Sequence, residues 1–564
     1  MHWSSLKELT EVLARLQEIA QAKPQAERSR GIRSLIKDAL RLLKSDVMEI
    51  VLRDPPRTSL VGFTLTNDAL CIVSALFAFV VLSNLVNLGY RELWVLPEPE
   101  DAVWPRVLQW TGYLLPLNHG LNFSSFTPSS MIPKALDATL CVFDRLGDLP
   151  PERARSIVLS GGHNAIHDIV TLWLNGPALI GEIKDSEGEI RLARCCDLLH
   201  TVWPVLGKDD EMRAILIVYI SRAVKGNTRR LFRTISSHID ALAKQLKSET
   251  WTDMDRLLWP ATVLAVLPEL HGSGFPRCTV RSAITVLRIA INDCTELCQT
   301  AHDFLGKLCY HDSRALLIAL DHGLFATIVE LRATGTCEHT AMSGMAGYIS
   351  FALSSPSAVR RFHNGLPNDY QNSGRSYHPD DQALLDLANE RFTLLEMFDE
   401  VWCYLVKCAN AKCTSSPSAG LRACPCGEAL YCSRTCQRAD WNARHKTSCA
   451  LEFVHGEIVP LKPRDVHFLR FLSHAYLREN HARFVTELKG PPIVTLDLSM
   501  RPRCDELQTF SFNTPDMQGG AIVKALYRER TILRSRMFTF YPSQNAEDWQ
   551  DSDRSENEQD RRMD

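Results

Sequence analysis

The sequence predicts a mainly α-helical protein in which a long helical N-terminal region precedes a small cysteine-rich module and a short α+β extension. Three observations predict this order. Apolar residues recur at steps of three and four over much of residues 1–405, as on one face of a helix. Strand-like alternation is almost absent before residue 490. Eight of the eighteen cysteines lie between Cys403 and Cys449.

The helical pattern is clearest between residues 284 and 308, where eight residues predict one face of a single long helix. They are Ile284, Leu287, Ile291, Cys294, Cys298, Ala301, Leu305 and Leu308. Residues 211–224 are apolar nearly all round and are predicted to be buried, and 316–333 and 382–402 are predicted to be amphipathic helices. Many helices with short breaks indicate an armadillo- or HEAT-like repeat region. No repeat recurs in the sequence, so a compact bundle stays open as an alternative.

Residues 69–88 form an uncharged stretch of the length that spans a bilayer. Several polar residues interrupt it, and helices that are apolar on all faces also lie at the centre of large helical proteins. We favour the buried helix, and we expect no membrane partner. Residues 1–20 are charged and amphipathic, unlike a secretory signal. Cysteines that are clustered without such a signal are typical of metal ligands in a reducing compartment, which predicts the nucleus or the cytoplasm.

The charge balance argues against a general nucleic-acid binder. The 564 residues include 63 Lys and Arg against 66 Asp and Glu, so the formal net charge is −3. Nucleic-acid binding usually requires a strongly basic face. Hydrophobic residues make up 45% of the chain and charged residues 23%, as in ordinary globular proteins. This length predicts two to four domains.

The cysteine-rich segment, residues 408–449, contains eight candidate metal ligands in four pairs. Structural zinc takes four sulfur or nitrogen ligands in a tetrahedron, so eight ligands fill two sites. The pairs are Cys408/Cys413, Cys424/Cys426, Cys432/Cys436 and His445/Cys449. A spacing of four, as in the last two pairs, places both ligands on one side of a helical turn. Cys424 and Cys426 are unusually close, and Cys403 is the candidate substitute, although a buried core thiol is the favoured interpretation of Cys403.

The run YCSRTCQRADW at 431–441, followed by HKTSC at 445–449, resembles the MYND zinc finger. The single residue between Cys424 and Cys426 departs from the family pattern. The resemblance implies a cross-braced fold with two zinc ions, the first held by Cys408, Cys413, Cys432 and Cys436. The second would be held by Cys424, Cys426, His445 and Cys449. Four protein ligands close a site, so both ions are expected to be structural. The resemblance also implies that the finger binds short proline-containing peptide motifs of partner proteins.

After the finger, residues 465–477 are predicted to be helical, with Asp465 as the N-cap. Residues 493–498 alternate, and 509–512 are predicted to pair with them as a small β element. The chain ends in an acidic segment, 541–564, which from Asn545 onward contains eight acids and three arginines. Its composition predicts disorder. Such runs are usually solvated, and docking is the alternative.

Other candidate chemistry is weaker. His163 and His167 lie four apart but lack the glutamate and third ligand of a zinc protease, so solvated or capping histidines are favoured. Cys195 and Cys196 are predicted to pack in a core. Some MYND proteins are SET-domain lysine methyltransferases, but residues 478–482 lack the Ser-Cys continuation of the Asn-His-Ser-Cys motif. No phosphate-binding or nucleophile-elbow motif appears.

We therefore predict a non-enzymatic scaffold with a helical region at 1–405, a finger at 408–449, an extension at 450–540 and a tail at 541–564. This order resembles a large group of helical MYND proteins common in fungi. The predicted partners are proteins, bound through short peptide motifs. A degenerate methyltransferase and a DNA-associated transcriptional regulator are the alternatives.

Overall fold

A computed structural model describes most of the chain between residues 49 and 540. The described residues are 49–56, 60, 67–87, 94, 96, 98–119, 131–160, 164–180, 187–245, 251–270, 274–291, 293–335, 339–367, 370, 377–414, 421–424, 429–446, 461–479, 493–498, 507–508, 521–529 and 532–540. The predicted acidic tail, 541–564, lies outside them. The chain divides into two compact units, residues 1–304 and 305–564. The four domains predicted from the sequence stay predictions.

Helices dominate the first unit. They are α1 (Asn67–Asn87), α2 (Glu100–Leu114), α3 (Ile132–Gly147), α4 (Pro151–Ser160), α5 (Asn164–Ile180), α6 (Gly188–Leu206), α7 (Asp210–Ala223), α8 (Thr228–Ala243), α9 (Trp251–Val266) and α10 (Arg277–Ala290), with α11 (Thr295–His311) at its end. Helix α6 packs against α3, α5 and α9, which places it at the centre of the unit. No described helix of the chain has the length and apolar character needed to cross a membrane.

Partly buried ion pairs link the central helices of this unit. The guanidinium of Arg191 on α6, which is 4% exposed, reaches both carboxylate oxygens of Asp137 on α3, at 2.7 and 2.8 Å. Arg194, one turn further along α6, binds Asp144 on α3. The two pairs lie about one turn apart and both join α3 to α6, so they help to fix how these helices are aligned. Cys195 and Cys196 are fully buried on α6, which confirms the prediction of core packing.

The eight apolar residues between 284 and 308 belong to two helices, so the prediction of one long helix is wrong. Helix α10 ends at Ala290, and the backbone N–H groups of Asp293 and Cys294 both donate to the carbonyl of Ala290. Helix α11 then begins at Thr295. The break contains Asp293, a residue type that favours turns over helix interiors. Seven of the eight predicted positions are still buried, so the apolar periodicity continues through the turn without revealing it.

Two further helix predictions need correction. Helix α7 is not buried all round, because only a line of residues at four-residue spacing (Met212, Leu216 and Ile220) is buried and Val218 is 45% exposed. It packs one face against α5. Residues 316–333 are divided between two helices at Gly323, whose φ of 75° is the left-handed conformation that glycine adopts at little cost.

The described residues of the second unit form six further helices of nine or more residues, the cysteine-rich segment with one short helix, and a sheet. The elements are α12 (Ser313–Asp321), α13 (Leu324–Thr334), α14 (His339–Ala352), α15 (Pro356–Asn364), α16 (Pro379–Leu405), β1 (Arg422–Ala423), β2 (Leu430–Tyr431), α17 (Arg434–Asp440), α18 (Pro463–Glu479), β3 (Ile493–Asp497), β4 (Leu507–Gln508), β5 (Ala521–Glu529) and β6 (Ile532–Phe540). Strands β3–β6 form one sheet in the order β4-β3-β5-β6, with β3 and β5 parallel.

The sheet differs in part from the prediction for residues 493–512. Strand β3 pairs with β4 at residues 507–508, just before the predicted partner, and 509–512 lie outside the described residues. The larger part of the sheet, the β5–β6 hairpin, was missed. Asp465 is also not an N-cap, because α18 begins two residues earlier and the Asp465 carboxylate accepts a hydrogen bond from the Ser355 hydroxyl at 3.1 Å.

Helix α18 packs on α16, although the whole cysteine-rich segment separates them in sequence. The ring of Phe398 on α16 lies 5.3 Å from that of Phe468 and 5.6 Å from that of Phe471. Arg464 of α18 binds Asp399, and its guanidinium lies over the Trp402 ring at 5.8 Å. Both ends of the cysteine-rich segment therefore lead into one packed helix pair.

A buried carboxyl in the first unit gives a pH-dependent prediction. Asp168 on α5 is 3% exposed and accepts one hydrogen bond from the Asn118 side chain, at 2.7 Å. Burial raises the pKa of Asp168 to about 7, against the opposing effect of that hydrogen bond. An ordinary unfolded Asp has a pKa of about 3.9. The folded state therefore favours the protonated carboxyl, and stability present below about pH 4 is lost as the pH rises through about 7.

We expect Asp168→Asn to remove this pH-dependent loss of stability. At pH 8 the variant should be more stable than the parent by on the order of 2 kcal/mol, and the difference should shrink toward pH 4. Guanidinium unfolding at pH 4.5 and pH 8 measures it. Asp148→Asn, at an exposed position, is the control with the same charge change and should show no such pH dependence. An equal effect of Asp168→Asn at both pH values would contradict the assignment.

Candidate metal centre

The first ligand pair lies on a tight turn directly after α16. The Asn410 side-chain oxygen accepts a hydrogen bond from the Lys412 backbone N–H at 3.2 Å, and the Asn410 carbonyl accepts one from the Cys413 N–H at 2.9 Å. An asparagine that bonds the backbone two residues later is typical of a turn. The turn brings the side chains of Cys408 and Cys413 to the same side.

The second pair lies at the start of α17. Ser433 is the N-cap of this helix, and its hydroxyl accepts a hydrogen bond from the Cys436 N–H at 3.1 Å. This cap fixes the start of the helix between Cys432 and Cys436. The Ala409 N–H donates to the Leu430 carbonyl at 2.7 Å, which joins the first turn to strand β2. The two cysteine pairs are thereby held against each other.

The four sulfurs converge on one point. Cys408, Cys413, Cys432 and Cys436 have sulfur atoms that all lie within 4.8 Å of one another. The Cys413 and Cys432 sulfurs are 3.4 Å apart, and those of Cys432 and Cys436 are 3.5 Å apart. A disulfide would need about 2.05 Å. Tetrahedral zinc with Zn–S bonds of about 2.3 Å places its sulfurs about 3.8 Å apart. The separations therefore fit a shared metal ion.

The thiols of this cluster differ in acidity. Burial raises the pKa of Cys408 to about 12. Hydrogen bonds with the Asn410 side chain, the Ser433 hydroxyl and Cys432 lower the pKa of Cys436 to about 6. The local structure therefore stabilises the thiolate of Cys436 and disfavours that of Cys408. Zinc binds thiolates, so loading the site releases protons from the other cysteines.

Of the four ligands predicted for the second zinc, Cys424 and His445 are among the described residues, and their side chains are in contact. The Cys424 sulfur is buried and lies 3.2 Å from Nε2 of His445, which is 6% exposed. Tetrahedral zinc with one sulfur and one imidazole ligand would separate these atoms by about 3.6 Å. His445 lies at the end of a single π-helical turn, Trp441–His445, that follows α17. Cys426 and Cys449 lie outside the described residues.

A buried carboxylate holds together the backbone segments that carry both sets of metal ligands. Asp440, at the end of α17 and 3% exposed, accepts a hydrogen bond from the Tyr431 hydroxyl at 2.7 Å. Its other oxygen accepts from Nε of Arg444 at 2.8 Å, and Arg444 also donates to the Ala409 carbonyl at 2.6 Å. Strand β2, α17 and the first cysteine turn are therefore joined through the paired side chains of Asp440 and Arg444.

A very small apolar core lies beside this network. It contains Cys424, Ala429 and Tyr431, with Ala409 and Trp441 packed against it. Tyr431 is 1% exposed, so it has a structural role. Trp441 is half-buried, and its ring lies 5.8 Å from that of His445. The sequence analysis missed the roles of Asn410 and Arg444, although the four-residue spacing of Asp440 and Arg444 is a signal for an ion pair.

The remaining candidates lie elsewhere. The side chain of Cys403 and the whole of His163 fall outside the described residues, so the substitution of Cys403 for Cys424 stays an open prediction. His167 is exposed on α5, with its ring 6.1 Å from that of Tyr219 on α7.

The comparisons with known proteins agree with the geometry. The sequence profile of the MYND finger family matches residues 408–449. Searches of the curated proteins and of the solved structures found no match to the chain.

The hydrogen bond from Tyr431 to Asp440 can be tested directly. Tyr431→Phe removes the donor and leaves one oxygen of a buried carboxylate without it, at a cost of about 1–3 kcal/mol. We expect the variant to lose its zinc at a chelator concentration at least about tenfold lower than the parent requires. Arg438→Ala, at an exposed position of α17, should change this concentration less than about twofold. Equal zinc retention in Tyr431→Phe and the parent would show that the bond does not support the metal sites.

Proposed function

Because residues 408–449 are a MYND finger with four cysteines in zinc-binding geometry, we propose that the protein is a scaffold whose finger captures short peptide segments of partner proteins. The convergence of the four sulfurs is the observation that carries this proposal. A metal with four protein ligands has no open position for water or substrate, so the site suits a structural ion. The proposed role of the finger is binding, with no reaction at the metal.

We further propose that the finger holds two zinc ions. Cys408, Cys413, Cys432 and Cys436 would hold the first, and the 3.2 Å approach of Cys424 to His445 supports these two as ligands of the second. Cys426 and Cys449 would complete it. When bound, each zinc supplies Lewis-acid attraction for thiolates and imidazole, and most of the folding free energy of a module with so small a core.

The proposed partners are proteins that carry proline-containing motifs. A short peptide suits the size of the finger, which has some forty residues. Trp441 and Gln437 are both half-buried on neighbouring turns, so part of each is available to a ligand. The proposed location is the nucleus or the cytoplasm, where reduced cysteines are available for zinc.

The helical part would present the finger on an armadillo- or HEAT-like repeat. Hydrogen bonds between packed helices support this, because several of them join residues whose separation in sequence is about the length of one such repeat. Thr279 and Phe232 are separated by 47 residues, Ser282 and Asp240 by 42, Arg361 and Asp321 by 40, and Arg360 and Asp399 by 39. Repeats of this kind have periods of about 40–47 residues. Between α3 and α6 the separations are 50–54, so the support is strongest after residue 228.

Zinc content per chain tests the metal assignment. We expect two zinc ions in the parent and fewer in Cys432→Ala and in Cys424→Ala, because each variant removes one ligand from a different set. Cys403→Ala is the matched control and should keep both ions. One zinc in the parent would mean that the set containing Cys424 does not bind. Loss of zinc in Cys403→Ala would instead identify Cys403 as a ligand.

Peptide capture tests the function. We expect the zinc-loaded chain to select proline-containing sequences from a displayed peptide library, and Cys432→Ala to lose at least about tenfold in affinity for them. The same preparation should not bind S-adenosylmethionine. Selection of no peptide, or equal capture by Cys432→Ala, would overturn the binding role. S-adenosylmethionine binding would favour the methyltransferase alternative, and steeply salt-dependent DNA binding would favour the DNA-associated regulator.

A further inference from the structure

The described part of the finger exposes several cationic side chains and no acidic one. Five exposed side chains, none in an ion pair with a described residue, contribute to it: Lys412, Arg422, Arg434, Arg438 and Lys446. Within the described part of the finger (408–414, 421–424 and 429–446), Asp440 is the one acidic residue. Its carboxylate is buried and already accepts hydrogen bonds from Tyr431 and Arg444. The exposed cations are therefore available to an acidic ligand, and we refer to them as the basic finger surface.

The spacing of two of these residues favours an extended acidic ligand. Arg434 and Arg438 lie four apart on α17, so their side chains are neighbours on one helix face. The half-buried residues Gln437 and Trp441 border that face. A peptide with several carboxylates in succession can contact both arginines and cover the bordering ring. Exposed ion pairs are individually weak, so a run of acids is needed for measurable binding.

The C-terminal segment of the same chain has this chemistry. Residues 545–564 contain eight acids and three arginines, a formal charge of −5. Four of the acids fall within seven residues (547–553), ahead of the first arginine at 554. We propose that this acidic segment occupies the basic finger surface in the intact protein. The proposal rests on the finger being a peptide-binding module, and it names the ligand that a partner would have to displace.

The position of the segment in the chain supports this occupant over a separate acidic protein. It follows β6, which ends at Phe540 and belongs to the same compact unit as the finger. Residues 541–564 can span up to about 80 Å when extended. A domain of some 260 residues has a radius of gyration of only about 18 Å, so the segment can reach any part of its unit. A tethered ligand acts at an effective concentration in the millimolar range, which compensates for weak individual contacts.

The direct test uses zinc-loaded protein lacking residues 545–564 and a fluorescently labelled peptide of that sequence. We expect the peptide to bind at low salt and to weaken at least about tenfold at 0.5 M salt, because the contacts are between exposed charges. A peptide with all eight acids replaced by Asn or Gln should not bind. Absence of binding by the acidic peptide at low salt would overturn the proposal.

Finger variants locate the contact. Arg434→Ser with Arg438→Ser should weaken peptide binding about tenfold while zinc content stays that of the parent. Lys307→Ser with Arg314→Ser makes the same charge change at exposed positions of α11 and α12 and should have little effect. Equal affinity of the two double variants would place the contact elsewhere and overturn the proposal.

The intact chain tests whether the segment acts on its own finger. Full-length protein should bind the added peptide at least about tenfold more weakly than the truncated protein, because the tethered segment competes. Equal binding would reject this occupant and favour an acidic partner protein. These measurements are separate from the proline-peptide library. A truncated protein that selects library peptides but ignores the acidic segment would retain the proposed function and lose only this inference.

Discussion

The finger depends on the convergence of four cysteine sulfurs on one point. Among the described residues its apolar core contains Cys424, Ala429 and Tyr431, which is far too little buried surface to offset the conformational entropy of some forty residues. Zinc–thiolate bonds supply free energy that packing cannot. The rest of the local structure serves this convergence: the Asn410 turn aligns one pair, the Ser433 cap aligns the other, and the Asp440 network keeps them in register.

The buried Asp440 network also explains why the segment tolerates so many exposed charges. A carboxylate buried next to two donors is satisfied internally and adds little to the surface potential. The positive charges of α17 and the cysteine turn then face solvent without a compensating acid in the described residues.

Features that depend on the spacing of residues along the chain could be predicted from the sequence, and features that depend on contacts between distant residues could not. Helix content followed from apolar periodicity, and four zinc-binding cysteines followed from ligand spacing. The turn between Ile291 and Thr295 was hidden because the same periodicity continues across it. The β5–β6 hairpin was missed because Arg530 and Thr531, which join its strands, are not the Gly or Asn that mark two-residue turns. The packing of α18 on α16 joins residues more than sixty positions apart, which no local pattern encodes.

That last contact gives the finger an unusual place in the architecture. The chain leaves the helix pair at Leu405 and returns to it at Pro463, and the clamp of Arg464 on Asp399 and Trp402 involves no residue of the finger. Closing a loop of roughly 57 residues costs only slightly more than closing a short one, because the entropy rises with the logarithm of length. Because these contacts are independent of the metal, we expect the helix pair to persist when zinc is removed, and we expect the metal-free finger to become a protease-sensitive loop between the two helices. Reloading would then restore the binding module without refolding the body that carries it.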